Sequence, residues 1–298
     1  MLKQRAMKKI FITTLTMFII LTVFTIPISS QKDKKVLRTN LEISDITGLK
    51  TTTIYLLNQQ NYLVQTEIFM DTSSIEDKVE EIIHYLVVDS DKIPIGLNGY
   101  IPSHVKLLDY SLENEQLFLD FSKEFLDGEM DDKAITGIVY SFLNQEKIEA
   151  VSFSVEGRAI EKYQYLTKEM GINKEYFLSS RSDIQKVVIY YLDNSSTYYV
   201  PVTKYLNDGR EKIEIIVEEL QKTHKDLVSL ENVHTKLLDY KEEENVFFLN
   251  FNEYLLDENV EASEKLLNSI AYSVFDNYDV RMVSFEVNGK SIKYINRK

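Results

Sequence analysis

Residues 105–127 read VKLLDYSLENEQLFLDFSKEFLD, and residues 235–257 read TKLLDYKEEENVFFLNFNEYLLD. The two copies also end alike: VSFSVEGRAI at 151–160 returns as VSFEVNGKSI at 283–292. An internal repeat of this kind means one folding unit written twice, so each copy can be read against the other. The copies span 51–165 and 187–298, each of ordinary single-domain size.

In the first copy, Thr53–Leu57 and Leu63–Met70 are β-rich and flank a turn-forming Asn58-Gln59-Gln60-Asn61. An amphipathic helix follows, with Ile75, Val79, Ile82, Ile83, Leu86 and Val87 at helical spacing behind a capping box at Ser73-Ser74-Ile75-Glu76. The second copy keeps the stripe as Ile213, Ile216, Val217 and Leu220, after an N-cap signal at Asp208 with Glu211 three residues on. Next comes a hairpin, 104–110 with 116–121, matched by 234–240 with 246–251. In it Leu117, Leu119 and Phe121 alternate with Phe118 and Asp120, and the tips SLENE and KEEEN are polar enough for solvent.

A second helix is expected over about 131–144, its buried stripe Ile135, Ile138, Val139 and Phe142 mirrored by Leu267, Ile270, Ala271 and Val274. Gly137 inside it costs about 1 kcal/mol relative to alanine. Its counterpart Ser269 is also small, so a close approach to the sheet is expected there. A closing hairpin turns on Glu156-Gly157 in one copy and Asn288-Gly289 in the other. The fold class predicted is α+β: two tandem copies of a ββ-α-ββ-α-ββ layer, with helices on one face of a mainly antiparallel sheet, after an N-terminal hydrophobic helix. One such layer is complete in itself, so the copies need not share a core.

The 298-residue chain is 44% hydrophobic and carries 34 Lys+Arg against 47 Asp+Glu. Residues 1–35 hold seven of the bases and one of the acids, which leaves 27 bases against 46 acids in the remainder. A surface that negative repels phosphate backbones, so nucleic acid is not an expected partner. The absence of cysteine excludes disulfides, thiolate metal sites, a cysteine nucleophile and acylation at a lipoprotein cysteine. Four bases between Lys3 and Lys9 precede an uncharged apolar run from Ile10 to Ile28. Residues 1–30 therefore read as a signal peptide or signal anchor, which places the rest on the extracytoplasmic face of the cell membrane, or secretes it if the segment is cleaved. Residues 31–50 read as a polar tether, and 166–186 as a connector expected to pack on its neighbours near Tyr165, Leu166, Ile172 and Phe177.

The run IPSHVKLLDYSLENEQLFLDFSKEF, with VSFSVEG downstream, resembles the GerM domain of sporulation and spore-germination proteins of endospore-forming bacteria. The matching residues are Ile101-Pro102, Leu107-Leu108 and Leu119-Asp120-Phe121-Ser122. In the second copy Leu237-Leu238 and Leu249-Asn250-Phe251-Asn252 match, while Glu231-Asn232 replaces the Ile-Pro turn. The resemblance implies tandem GerM-like domains, 51–165 and 187–298, acting as adaptor or assembly modules for protein partners in the envelope, in a ring-like or multi-subunit complex. The lipobox cysteine common in such proteins is missing, so any anchor must be the N-terminal helix.

The repeated residues are those of cores and turns, and none is assigned here as catalytic, cofactor-binding or metal-binding. His104 and His234 occupy equivalent positions before the LLDY strand but lack a ligand-like His-x-x-x-His spacing, and His84 and His224 have no repeat partners and face away from the apolar stripes. Asp109 and Asp239 are the best-matched carboxylates, one per copy, and are read as facing water or bonding a neighbouring loop. Asp120 with Ser122, and Asn250 with Asn252, stand where strand passes into helix and are expected to act as N-caps. Glu242-Glu243-Glu244 lacks the spacing of a calcium loop. A non-enzymatic envelope adaptor is the expected function. An envelope enzyme of the peptidoglycan-hydrolase type, or a receptor for cell-wall fragments or germinants, are the alternatives.

Overall fold

The structure, a computed structural model, describes residues 50–70, 75–128, 130–222, 224–228, 234–256 and 263–297. The apolar run at 10–28, the tether up to residue 49 and the capping serines at 73–74 lie outside these residues. In the first copy the order is β1 (Lys50–Asn58), β2 (Leu63–Met70), α1 (Ile75–Leu86), β3 (Leu97–Asn98), β4 (Leu107–Glu113), β5 (Gln116–Phe121), α2 (Asp132–Leu143), β6 (Ala150–Val155) and β7 (Arg158–Ala159). A connector strand β8 (Glu175–Phe177) leads to β9 (Gln185–Asp193), β10 (Tyr199–Leu206), α3 (Lys212–Gln221) and β11 (Leu227–Val228). The second copy then continues with β12 (Leu237–Glu243), β13 (Val246–Phe251), α4 (Glu264–Asn277), β14 (Met282–Val287) and β15 (Lys290–Asn296).

The α+β class and the order of elements are as predicted, but each copy is not one complete layer. Its strands divide between two sheets. The opening hairpins of both copies join in a seven-stranded sheet of order β11-β9-β10-β2-β1-β3, with β8 beside β10. The remaining strands form two separate sheets, β4-β5-β6-β7 and β12-β13-β14-β15. Within these, β5 and β6 run parallel, as do β13 and β14, because α2 and α4 carry the chain back across the sheet between them. Among the described side chains the expected helix stripes are buried, including Ile135, Ile138, Val139 and Phe142 on α2 and Ile213, Ile216, Val217 and Leu220 on α3, except that Val87 falls just past the end of α1 and is half-buried. Each such side chain contributes about 1.5–3 kcal/mol by leaving water. Both copies feed a single hydrophobic cluster.

The shared sheet reads the same from both ends, since β9, β10 and β11 are the counterparts of β1, β2 and β3. Local bonding fixes the equivalence. Asn58 Oδ1 accepts from the N–H groups of Gln60 and Tyr62 (3.1 and 2.9 Å), and Asp193 Oδ1 accepts from those of Thr197 and Tyr198 (2.8 and 2.9 Å). At the centre, β2 meets β10 antiparallel through Gln65 and Tyr199. Pro201 in β10 has no N–H to give, so the ladder cannot continue there by backbone alone. The connector repairs the gap. Asn173 Oδ1 accepts from Leu63 N–H (3.0 Å), and its Nδ2 donates to the carbonyls of Leu63 and Pro201 (both 2.8 Å).

Helices α2 and α4 close the outer edges of β1 and β9 with the same pair of polar positions. Ser141 Oγ accepts from Tyr55 N–H (2.9 Å), and Gln145 Nε2 donates to Thr53 O (3.2 Å). Ser273 Oγ accepts from Tyr190 N–H (2.8 Å), while Asn277 accepts from Val188 N–H (3.1 Å) and donates to its carbonyl (2.6 Å). The close approach at Gly137 is to a side chain rather than to the sheet. A Cβ there would fall 2.4 Å from Cζ of Tyr100, whose hydroxyl donates to Tyr55 O (3.1 Å).

The connector packs in part as expected. Ile172 is fully buried and Leu166 packs against the core, whereas Tyr165 and Phe177 are mostly exposed. Asp131 caps α2, its Oδ1 accepting from Ala134 N–H (2.7 Å). Asp208 does not cap α3. Its Oδ1 accepts from Arg210 N–H (3.0 Å) in a turn, and the helix begins at Lys212 with Glu211 at the cap position.

Candidate functional site

Placing the matched polar residues on this fold separates the pairs. Asp109 and Asp239 are exposed on β4 and β12, edge strands of different sheets, and Asp109 Oδ1 accepts from Tyr110 N–H (2.9 Å). His104 and His234 are exposed just before those strands, with the His234 ring 5.6 Å from that of Tyr254. His84, in the last turn of α1, lies 3.7 Å from Asp91. His224 departs from its expected outward position and packs edge-on to buried Tyr191, ring centroids 4.5 Å apart. Among the described residues, no group of three His, Asp or Glu side chains is placed to hold a metal ion.

The expected N-caps do different work. Asp120 Oδ1 accepts from Ser154 Oγ (2.6 Å) and Gly157 N–H (2.9 Å), and Asn250 Oδ1 accepts from Gly289 N–H (2.9 Å). These side chains reach across a parallel strand to hold the closing turn. Ser122 and Asn252 point back instead and accept from the N–H groups of Lys106 and Lys236 (3.1 and 2.9 Å). The competing demand is the unpaired backbone beside each edge strand, which outweighs the cap because the short 3₁₀ turn that follows has few orphan donors.

Both copies also turn an apolar side chain outward at the same place. The ladder between β4 and β5 slips between Leu107 and Asp109, and that between β12 and β13 slips between Leu237 and Asp239. Each bulge leaves a leucine out of register: Leu108 is 52% exposed and Leu238 53%. Leu238 lies on a cleft between α3 and β12, together with Arg210, Glu214, Asp239 and Tyr240. LLDY marked the strand in the sequence, but only the bulge decides which of its leucines faces water.

A buried ionic cluster joins the connector to the second copy. Lys204 on β10 is only 2% exposed and bonds Glu219 of α3, with Glu175 of β8 at 3.3 Å. Its ammonium also lies over the rings of Phe177 (5.1 Å) and Tyr191 (5.6 Å). Burial would raise the Glu219 carboxyl, but bonding to the ammonium groups of Lys204 and Lys222 outweighs it and holds the group low. Burial, followed by the charge of Lys204, pushes the His224 imidazole down. Sequence reading missed this cluster and Asn173. A proline inside an otherwise alternating strand, at Pro201, was the available signal for the second.

Known proteins share this architecture. The family model described as sporulation and spore germination, Germane, matches residues 53–161 and 188–293, most of the chain, and the chain belongs to that family. The spore germination protein GerM of Bacillus subtilis (strain 168) is 25% identical over 276 residues, covering 82% of this chain and 73% of that one. The solved tandem GerMN domains of the sporulation protein GerM from Bacillus subtilis superpose with a TM-score of 0.74 at 22% identity, over 84% of this chain and 97% of that one. This likeness extends to the tandem fold as a whole.

Proposed function

We propose that the chain is a non-enzymatic adaptor or assembly module on the extracytoplasmic side of the cell envelope, with a GerM-like role in sporulation or spore germination. The observation that carries this reading is the outward leucine repeated at the same bulge in both copies. An exposed apolar side chain on an edge strand offers both a hydrophobic anchor and unpaired backbone to a protein partner. The matched polar residues fit the same reading, because Asp120, Ser122, Asn250 and Asn252 are committed to backbone groups rather than poised for reaction. Attachment to the membrane rests on the basic and apolar residues 1–28; no helix among the described residues is long and apolar enough to cross a membrane. The partner is a protein of the envelope, held in a ring-like or multi-subunit complex.

Replacing both leucines, Leu108→Asp with Leu238→Asp, tests the reading. Crosslinks from these positions in intact envelopes should disappear and spore formation or germination should fall, while the melting temperature stays near wild type. Unchanged crosslinks and unchanged sporulation would refute it. Asp109→Ala with Asp239→Ala should be silent, and loss of a measured peptidoglycan-hydrolase activity in that folded variant would establish the enzyme reading instead.

A further inference from the structure

We propose that a tyrosine-walled cleft between the two copies binds an organic ammonium group. The cleft, of about 410 Å³, lies where β2 meets β10 and is lined by Gln65, Glu67, Thr197, Tyr198, Tyr199 and Tyr272, among others. That volume lies within the range of small-ligand sites. The rings of Tyr199 and Tyr272 stand nearly perpendicular, at 82° with centroids 5.0 Å apart, and so form a corner. Tyr190 backs Tyr272 at 5.7 Å, and Asn268 Nδ2 donates to the Tyr199 hydroxyl (3.2 Å), so both rings are held in place.

The chemistry of this lining selects a cation. Aromatic faces carry the negative part of the ring quadrupole, and an ammonium against them is favoured most when partly desolvated. Glu67 adds a carboxylate, and its field reaches Tyr272, whose phenol is raised first by burial and then by that charge. No basic residue is found among the described lining residues. The adjoining cavity shares Gln65, Glu67 and Tyr272 but sets Lys78, Lys168 and Arg297 against Glu67, Glu146 and Asp276, with Lys168 3.5 Å from Asp276, so its charges are balanced where the tyrosine corner holds a carboxylate alone among its described lining residues. The net charge of −13 concentrates cations around the protein in general. The ammonium has two possible sources, a quaternary head group on a small molecule and a lysine side chain on a polypeptide.

Titration calorimetry on the full chain separates these sources with three probes: choline, Nα-acetyl-lysine methylamide, and 3,3-dimethylbutanol, the uncharged isostere of choline. Saturable binding of choline, of the lysine compound or of both is the expected result, and which of them binds names the source. Tyr272→Phe keeps the ring and should bind within about twofold of wild type, whereas Tyr272→Leu should weaken binding by about fivefold or more. Glu67→Gln, with its melting temperature checked against wild type, should weaken binding severalfold and flatten its salt dependence. Three results would each overturn the proposal: no saturation by either cation up to roughly 20 mM, equal binding of the uncharged isostere, or unchanged affinity in Glu67→Gln.

Discussion

Asn173 should be worth more to stability than any surface polar residue of this protein, because it completes a ladder that Pro201 interrupts. Its side chain makes three hydrogen bonds, of 3.0, 2.8 and 2.8 Å, to backbone groups of Leu63 and Pro201. Leu63 is 1% exposed, so water cannot easily replace what is lost. Each backbone group left unpaired in such a place costs about 1–3 kcal/mol. Asn173 also sits at φ 44°, so alanine would add backbone strain of about 1–2 kcal/mol. Glycine adopts that conformation freely, so Asn173→Gly isolates the loss of the bonds. We expect it to lower stability by about 2–4 kcal/mol, and a melting temperature would fall by about 4–16 °C for a unit of this size. Urea unfolding of the full chain measures the free energy, and amide exchange at Leu63 localises the opening. A stability of Asn173→Gly within about 0.5 kcal/mol of wild type would show that the two halves of the sheet are held by something else.

Gly137→Ala should destabilise by about 1–3 kcal/mol through collision with Tyr100, although helix propensity alone predicts a gain of about 1 kcal/mol; the sign of the change in urea midpoint decides between them. Gly157→Val and Gly289→Val should each cost about 1–3 kcal/mol. The turns hold Glu156-Gly157 at φ 48° and 76° and Asn288-Gly289 at 48° and 77°, and a Cβ on either glycine meets open space, so the cost is backbone strain alone; unchanged melting temperatures would mean a different turn. Acid should loosen the Lys204 cluster. His224 and Glu219 both titrate lower in the folded chain than their ordinary values of 6.5 and 4.5, so their contributions are fully present above those values and are lost as pH falls. Stability measured downward from pH 7 should therefore begin to fall below about 6.5 and fall again below about 4.5, and Lys204→Met should alter this profile; a flat curve in wild type would refute the assignment.

Much of the fold was legible in the chain because its periodicities are local. Two sequences preserving the stripes of α1 and α3, and of α2 and α4, left little freedom over which residues are buried. The Gly157 and Gly289 turns follow from the need for positive φ, a property of one or two residues. Partner choice between strands is a different matter. Alternation tells a strand which face is buried but not which neighbour it will meet, so a complete layer per copy was as consistent with the pattern as the shared sheet observed. The polar residues depended on tertiary structure for the same reason. Asp120 and Ser122 carry the composition of a cap, and only the position of Gly157 and Lys106 in space assigns them to other backbone groups. Leu108 and Leu238 belong to an apolar pair in each copy, and a bulge one residue long turns them outward. The repeat, the order of the elements and most of the core could be read from the chain, since these rest on side-chain spacing. How the copies join is settled in three dimensions, because the Asn173 side chain bonds backbone groups of Leu63 and Pro201 that are remote from it along the chain.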